Sequence, residues 1–142
     1  MRTTEQFVIE ARPGTVWQVL ADVEHWHDWT PTIQRIEPLD AGGLRSGARY
    51  RVVQPGLQPA VYEVTVCIPD QVFTWVYRLP GGEMVADHRI ATRNGQTEVE
   101  FSFSSKGLMA DVLSMLFSKK IREFVATEAI SLKRKCESIL ES

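Results

Sequence analysis

The chain has 142 residues, 44% hydrophobic and 24% charged, with a formal net charge of −2. That is the composition of one globular domain, expected here to span residues 1–142, with a core large enough to need neither metal nor disulfides. The small net charge and scattered Lys and Arg provide no long-range attraction for nucleic acid or acidic membrane surfaces, so no nucleic-acid partner is expected.

Cys67 and Cys136 have no second cysteine or histidine at metal-ligand spacing, so they read as buried free thiols, and no metal or cofactor is expected. The start of the chain, Met1-Arg2-Thr3-Thr4-Glu5-Gln6, is too polar for a secretory leader or a membrane span. The expectation is a cytoplasmic protein without integral membrane association, a monomer or homodimer.

In chain order, Gln6 to Ala11 reads as a first strand ending at Arg12-Pro13-Gly14. Thr15 is the expected N-cap of a helix carrying Val16, Trp17, Leu20 and Ala21 on one side, and a second short helix runs to Trp29 before Pro31. The pattern then changes to alternating runs: Ile33 to Leu39, Ala48 to Gln54, Ala60 to Ile68, Val72 to Leu79, Met84 to Ala91 and Thr97 to Ser104. Gly, Pro, Asn and Asp mark the turns between them, most strongly Asn94-Gly95, which suits a two-residue turn with positive φ. Beyond Lys106-Gly107 one long helix is expected, with Leu113, Leu116, Phe117, Ile121, Phe124, Val125, Leu132, Cys136 and Leu140 on one face. Roughly 30 residues at 1.5 Å each would carry it about 45 Å across a twisted sheet, leaving an apolar pocket beneath it.

Several local sequences accompany this order: Pro13-Gly14-Thr15-Val16-Trp17 at the entry to the first helix, Asp22 with Trp26, Trp29 and Pro31 around the second, Gly47-Ala48-Arg49-Tyr50-Arg51, and Ala86-Asp87-His88-Arg89-Ile90. Together they resemble the START-like (SRPBCC) superfamily of helix-grip domains, in particular its polyketide cyclase/dehydrase-like branch. The resemblance extends over essentially the whole chain and carries no diagnostic catalytic string. It implies an α+β helix-grip (Bet v 1/START-like) fold: a seven-stranded curved antiparallel sheet around a long C-terminal helix, with two short helices after the first strand. It also implies a cavity for an apolar or amphipathic small molecule. Members include lipid carriers, hormone and metabolite binders, polyketide cyclases and chaperone-activating modules, and fold analogy does not choose among them.

Strand alternation places Met84, Ala86, His88 and Ile90 on one face, so His88 points inward. It is either a ligand-facing hydrogen-bonding or acid/base group, or a core histidine bonded to backbone. Phe73, Trp75 and Tyr77 share one face of the fifth strand, and Tyr62, Val64 and Val66 one face of the fourth; Tyr62 and Trp75 have polar handles for a ligand, although any sheet packed on a helix needs such faces. Arg49 either binds a ligand carboxylate or lies in solvent. Phe117, Phe124 and Glu128 form the candidate roof, with Thr127 as an alternative polar contact and Glu128 alternatively snorkelling outward. His25-Trp26-His27-Asp28-Trp29 contains good metal ligands, but side chains two apart on a helix diverge. Trp26 and Trp29 are therefore expected at the pocket mouth as an entrance lid.

No Ser/His/Asp or Cys/His group can be assembled from these residues. The reading that asks least of the sequence is a binding protein for a hydrophobic or amphipathic small molecule, such as a lipid, polyketide or aromatic metabolite. A polyketide cyclase/dehydrase-like enzyme that folds its substrate in the cavity is the alternative, with His88 as its best catalytic candidate. A protein-interaction module with a residual cavity is the third.

Overall fold

The computed structural model describes residues 1–140, with only the backbone of Leu140; the Leu140 side chain of the expected stripe and positions 141 and 142 lie outside the described residues. The elements are β1 (Arg2–Ile9), α1 (Pro13–Ala21), a 3₁₀ helix (Val23–Asp28), β2 (Arg35–Pro38), β3 (Arg49–Val53), β4 (Ala60–Ile68), β5 (Val72–Leu79), β6 (Gly82–Arg93), β7 (Gln96–Lys106), α2 (Leu108–Leu116) and α3 (Ser118–Leu140). The strands form one curved antiparallel sheet in the order β1-β7-β6-β5-β4-β3-β2. The first strand thus closes on the last while the remainder meanders. This is the expected seven-stranded helix-grip arrangement.

The inner face of the sheet supplies Val64, Phe73, Trp75, Val99 and Phe101 to the core, and α1 and α3 cover it with Val16, Leu20, Ala129, Leu132 and Cys136. Cys136 is buried as expected, but Cys67 is only half-buried, and both are free. The β6–β7 hairpin turns on Asn94 (φ 53°) and Gly95 (φ 77°), the doubly positive geometry expected of Asn-Gly. Its strands pair from Arg93↔Gln96 to Glu83↔Lys106, well past the apolar stretch, because backbone pairing does not require apolar side chains. For the same reason β1 begins at Arg2, paired with Ser104, instead of at Gln6.

Four expectations are corrected. The first helix starts at Pro13, with Arg12 as N-cap and no side-chain cap bond, so Thr15 lies inside the first turn; proline suits that position because its missing N–H has no helical partner there. Val66 does not share a face with Tyr62 and Val64: the register shifts from Val64↔Trp75 to Val66↔Thr74, a bulge at Thr65 that turns Val66 outward and Cys67 inward. The single long helix is two, since Phe117 (φ −106°, ψ 16°) interrupts it between α2 and α3. Finally, Leu116 leaves the expected inward stripe and is 74% exposed.

The β1 edge of the sheet is closed by side chains of α3. The Lys133 ammonium donates to the Val8 carbonyl (2.7 Å), the Glu10 N–H donates to the Glu137 carboxylate (2.8 Å), and Lys133 and Glu137 pair with each other (2.7 Å). At the other edge β2 is only four residues long and ends in Pro38.

Candidate ligand-binding site

A cavity of about 540 Å³ lies between the sheet and the helices. Strands β4 to β7 contribute Tyr62, Trp75, Tyr77, Met84, His88 and Phe101, and the helical side contributes Leu113, Phe117, Ile121, Phe124, Val125 and Glu128. The loop between β3 and β4 adds Gly56, Leu57 and Gln58. Exposure grades along the cavity: Trp26 and His88 are buried at one extreme, whereas Phe117 and Gln58 are exposed at the other. The mouth therefore lies between the β3–β4 loop and the junction of α2 with α3. There Lys120 reaches over Gly56 and stands 5.9 Å from the Phe124 ring centroid.

Trp26 is not a lid. It is 1% exposed, its indole N–H donates to the Leu20 carbonyl (2.9 Å), and its ring meets Phe73, Trp75 and His88 at 5.6–6.1 Å. An indole with its donor satisfied inside the fold gains more from burial than from standing at an entrance. Trp29 packs against Trp26 at 5.4 Å but lines a separate surface hollow with Pro31, Thr127, Ile130 and Arg134. Neither Trp29 nor Thr127 reaches the cavity. His25 and His27 are exposed beside Asp22 and Asp28.

His88 points inward as alternation requires. It stacks on Phe73 (4.1 Å between ring centroids), and its Nδ1 lies 3.1 Å from the Phe73 carbonyl. A carbonyl only accepts, so Nδ1 carries the proton. Burial lowers the imidazole pKa to about 4, so the ring is neutral at physiological pH and Nε2 is a bare acceptor. No hydrogen bond joins Nε2 to a described residue, and it is not among the occluded polar atoms.

Glu128 turns inward instead of snorkelling. The Thr32 hydroxyl donates to its carboxylate (2.9 Å), and the Thr30 and Thr32 hydroxyls are 2.9 Å apart. Burial raises the Glu128 pKa to about 7 against the smaller opposing effect of the Thr32 bond, so both protonation forms are accessible near neutral pH. Tyr62 is buried between Trp75 and Tyr77, and burial keeps its phenol protonated. The structure thus brings Tyr62, Trp75, Met84, His88, Phe117, Phe124 and Glu128 around one space, with Trp26 at its buried end.

Arg49 is excluded from it. Tyr50 and Val52 take the inner face of β3, so Arg49 projects outward to a two-point ion pair with Asp40, which lowers the carboxyl pKa below its usual value. Sequence reasoning missed Gln54, Gln58 and Thr32. Tyr77 was legible, being on the Trp75 face of β5; the glutamines and the Thr32 contact across 96 positions of chain leave no periodic signal.

A family described as polyketide cyclase / dehydrase and lipid transport matches residues 1–137. The chain belongs to this family. Among solved structures, ginseng major latex-like protein 151 from Panax ginseng superposes with a TM-score of 0.75 at 14% identity, over 95% of this chain and 96% of that one. A START superfamily protein from Mycobacterium smegmatis gives 0.71 at 14% identity, over 97% and 98%. Aha1 from Colwellia psychrerythraea, solved in solution as a dimer, gives 0.66 at 21% identity, over 96% of each chain. At such identities the likeness is one of fold. No curated protein matches the chain. Family and fold support a hydrophobic ligand-binding role in general terms. No described helix is long and apolar enough to cross a membrane.

Proposed function

We propose that the protein holds one amphipathic small molecule in the cavity, its apolar body against the aromatic floor and its polar group toward Tyr62, His88 and Glu128. The observation that carries this is that those three groups line one mainly apolar cavity of about 540 Å³, within the range of roughly 300–1,000 Å³ of small-molecule pockets. The neutral His88 offers an acceptor, the Tyr62 phenol a donor, and Glu128 either one according to its protonation. A ligand hydroxyl, phenol or carbonyl is matched by this set.

Native mass spectrometry of protein purified gently from its own host tests the reading, together with titration by 1-anilinonaphthalene-8-sulfonate. One retained small molecule per chain, or one saturable dye site abolished by Val125→Trp, is expected. An empty protein with no saturable site would overturn the proposal.

The second reading is a cyclase/dehydrase-type reaction. It is favoured by the presence in one cavity of a carboxyl that titrates near neutrality and a neutral imidazole acceptor, the equipment for moving protons on a folded substrate. With a substrate from the mass spectrum, Glu128→Gln should lower turnover about 100-fold or more while binding persists. Undiminished turnover would remove Glu128 from the chemistry.

A further inference from the structure

Helix α2 faces the wrong way for a helix that only serves the core. Leu108, Met109, Val112, Met115 and Leu116 are 82, 49, 46, 72 and 74% exposed, and their spacing places them on one helical face. The inner face is held by two small buried residues, Ala110 and Ser114, and the Ser114 hydroxyl is occluded without a partner among the described residues. Single exposed leucines are ordinary; five large apolar side chains gathered on one short helix mark a surface that meets something.

Charge indicates what it meets. Lys106, Lys119, Lys120 and Arg122 bracket α2, and none of them forms an ion pair with a described residue. The one acidic residue between positions 105 and 122 is Asp111, which accepts from the Ser105 hydroxyl (2.6 Å) and lies 3.8 Å from the terminal ammonium of Met1. That segment carries +3 on a chain whose total is −2, a local excess that the net charge conceals. A symmetric pairing of two copies through this face would bring the two +3 segments together, at an electrostatic cost. An anionic bilayer offers what both features need: acyl chains for the apolar face and phosphates for the lysines.

We propose that α2 is a membrane-docking helix that lays its outer face into the interfacial layer of an anionic phospholipid surface. Leu113 and Phe117, from the same segment, line the cavity. Docking therefore sets the mouth against the acyl region, and an apolar ligand passes between bilayer and cavity without crossing water.

Co-sedimentation with vesicles of phosphatidylcholine alone, and of phosphatidylcholine mixed with phosphatidylserine, tests this on the full chain. Wild type should pellet with the phosphatidylserine vesicles only, and less so as salt is raised. The variant Met115→Glu/Leu116→Glu, whose changes lie on the exposed face, should keep the wild-type circular dichroism spectrum and lose at least about tenfold in vesicle affinity. It should still bind 1-anilinonaphthalene-8-sulfonate in solution, which separates failure of docking from failure of the cavity reading. Absence of binding to phosphatidylserine vesicles, or binding unchanged in the variant, would overturn the proposal. So would light scattering that shows a dimer dissolved by the same two substitutions, since the face would then belong to a second copy.

Discussion

Replacing Glu128 by Gln should reshape the pH dependence of stability. Burial moves this carboxyl from 4.5 to about 7, so between those values the folded protein holds a proton that the unfolded chain has released. Its neutral form contributes stability that is complete below about pH 4.5 and lost as pH rises to about 7. At about 1.4 kcal/mol per pH unit the full loss comes to about 3 kcal/mol, and water admitted through the cavity mouth reduces it to about 1–3 kcal/mol. His88 acts in the opposite sense: with its pKa lowered from 6.5 to about 4, it contributes stability that grows as pH rises through that interval. In wild type the two slopes oppose each other over the shared range. Gln keeps an acceptor for the Thr32 hydroxyl and cannot ionise, so the variant displays the rising slope alone. Urea unfolding at a series of pH values measures both proteins. The variant's advantage should grow by about 1–3 kcal/mol between about pH 4.5 and pH 8; a pH-independent difference would show that the carboxyl titrates normally and that the cavity beside Thr32 is wet.

Trp26→Ala should cost about 3–5 kcal/mol in chemical denaturation and Trp29→Ala less than about 2, because only Trp26 is fully buried; equal losses would contradict their placement. Gly107 has φ 92°, and a Cβ there would meet the Gly81 carbonyl oxygen at 2.5 Å and the Gly82 Cα at 2.7 Å. Gly107→Ala should therefore destabilise by about 1–3 kcal/mol and accelerate amide exchange across α2. Nitrogen NMR of the imidazoles should find His88 with its proton on Nδ1 and neutral down to a midpoint near 4; a midpoint near 6.5 would refute its burial.

The legible parts of the fold were those where a local rule coincides with the global one. The boundaries of β4 and β5 follow from the sequence because Pro-containing turns stop an apolar run at the place where pairing also stops. β6 and β7 outrun their apolar centres because alternation reports burial, whereas pairing continues through Glu83, Thr92, Ser105 and Lys106. The break at Phe117 is invisible because the apolar spacing runs through it: helical period shows that residues share a face, without showing whether that face meets the sheet or the surroundings. At the site, His88, Tyr62 and Trp75 were reachable by strand parity. Trp26 was misplaced because aromatic residues in a short connecting segment suit an entrance and a core equally. Glu128 acquires its inward orientation from Thr32, a partner that only the folded chain supplies.

The bonds from Lys133 and Glu137 to the β1 edge have a mechanical consequence. By occupying the Val8 carbonyl and the Glu10 amide, the last turns of α3 deny an incoming strand part of its template, so the open rim of the sheet resists extension by another chain. The same bonds rivet that end of the helix. Any widening of the cavity must then be a swing about the riveted end, small near Leu132 and largest at Phe117, where the chain already bends.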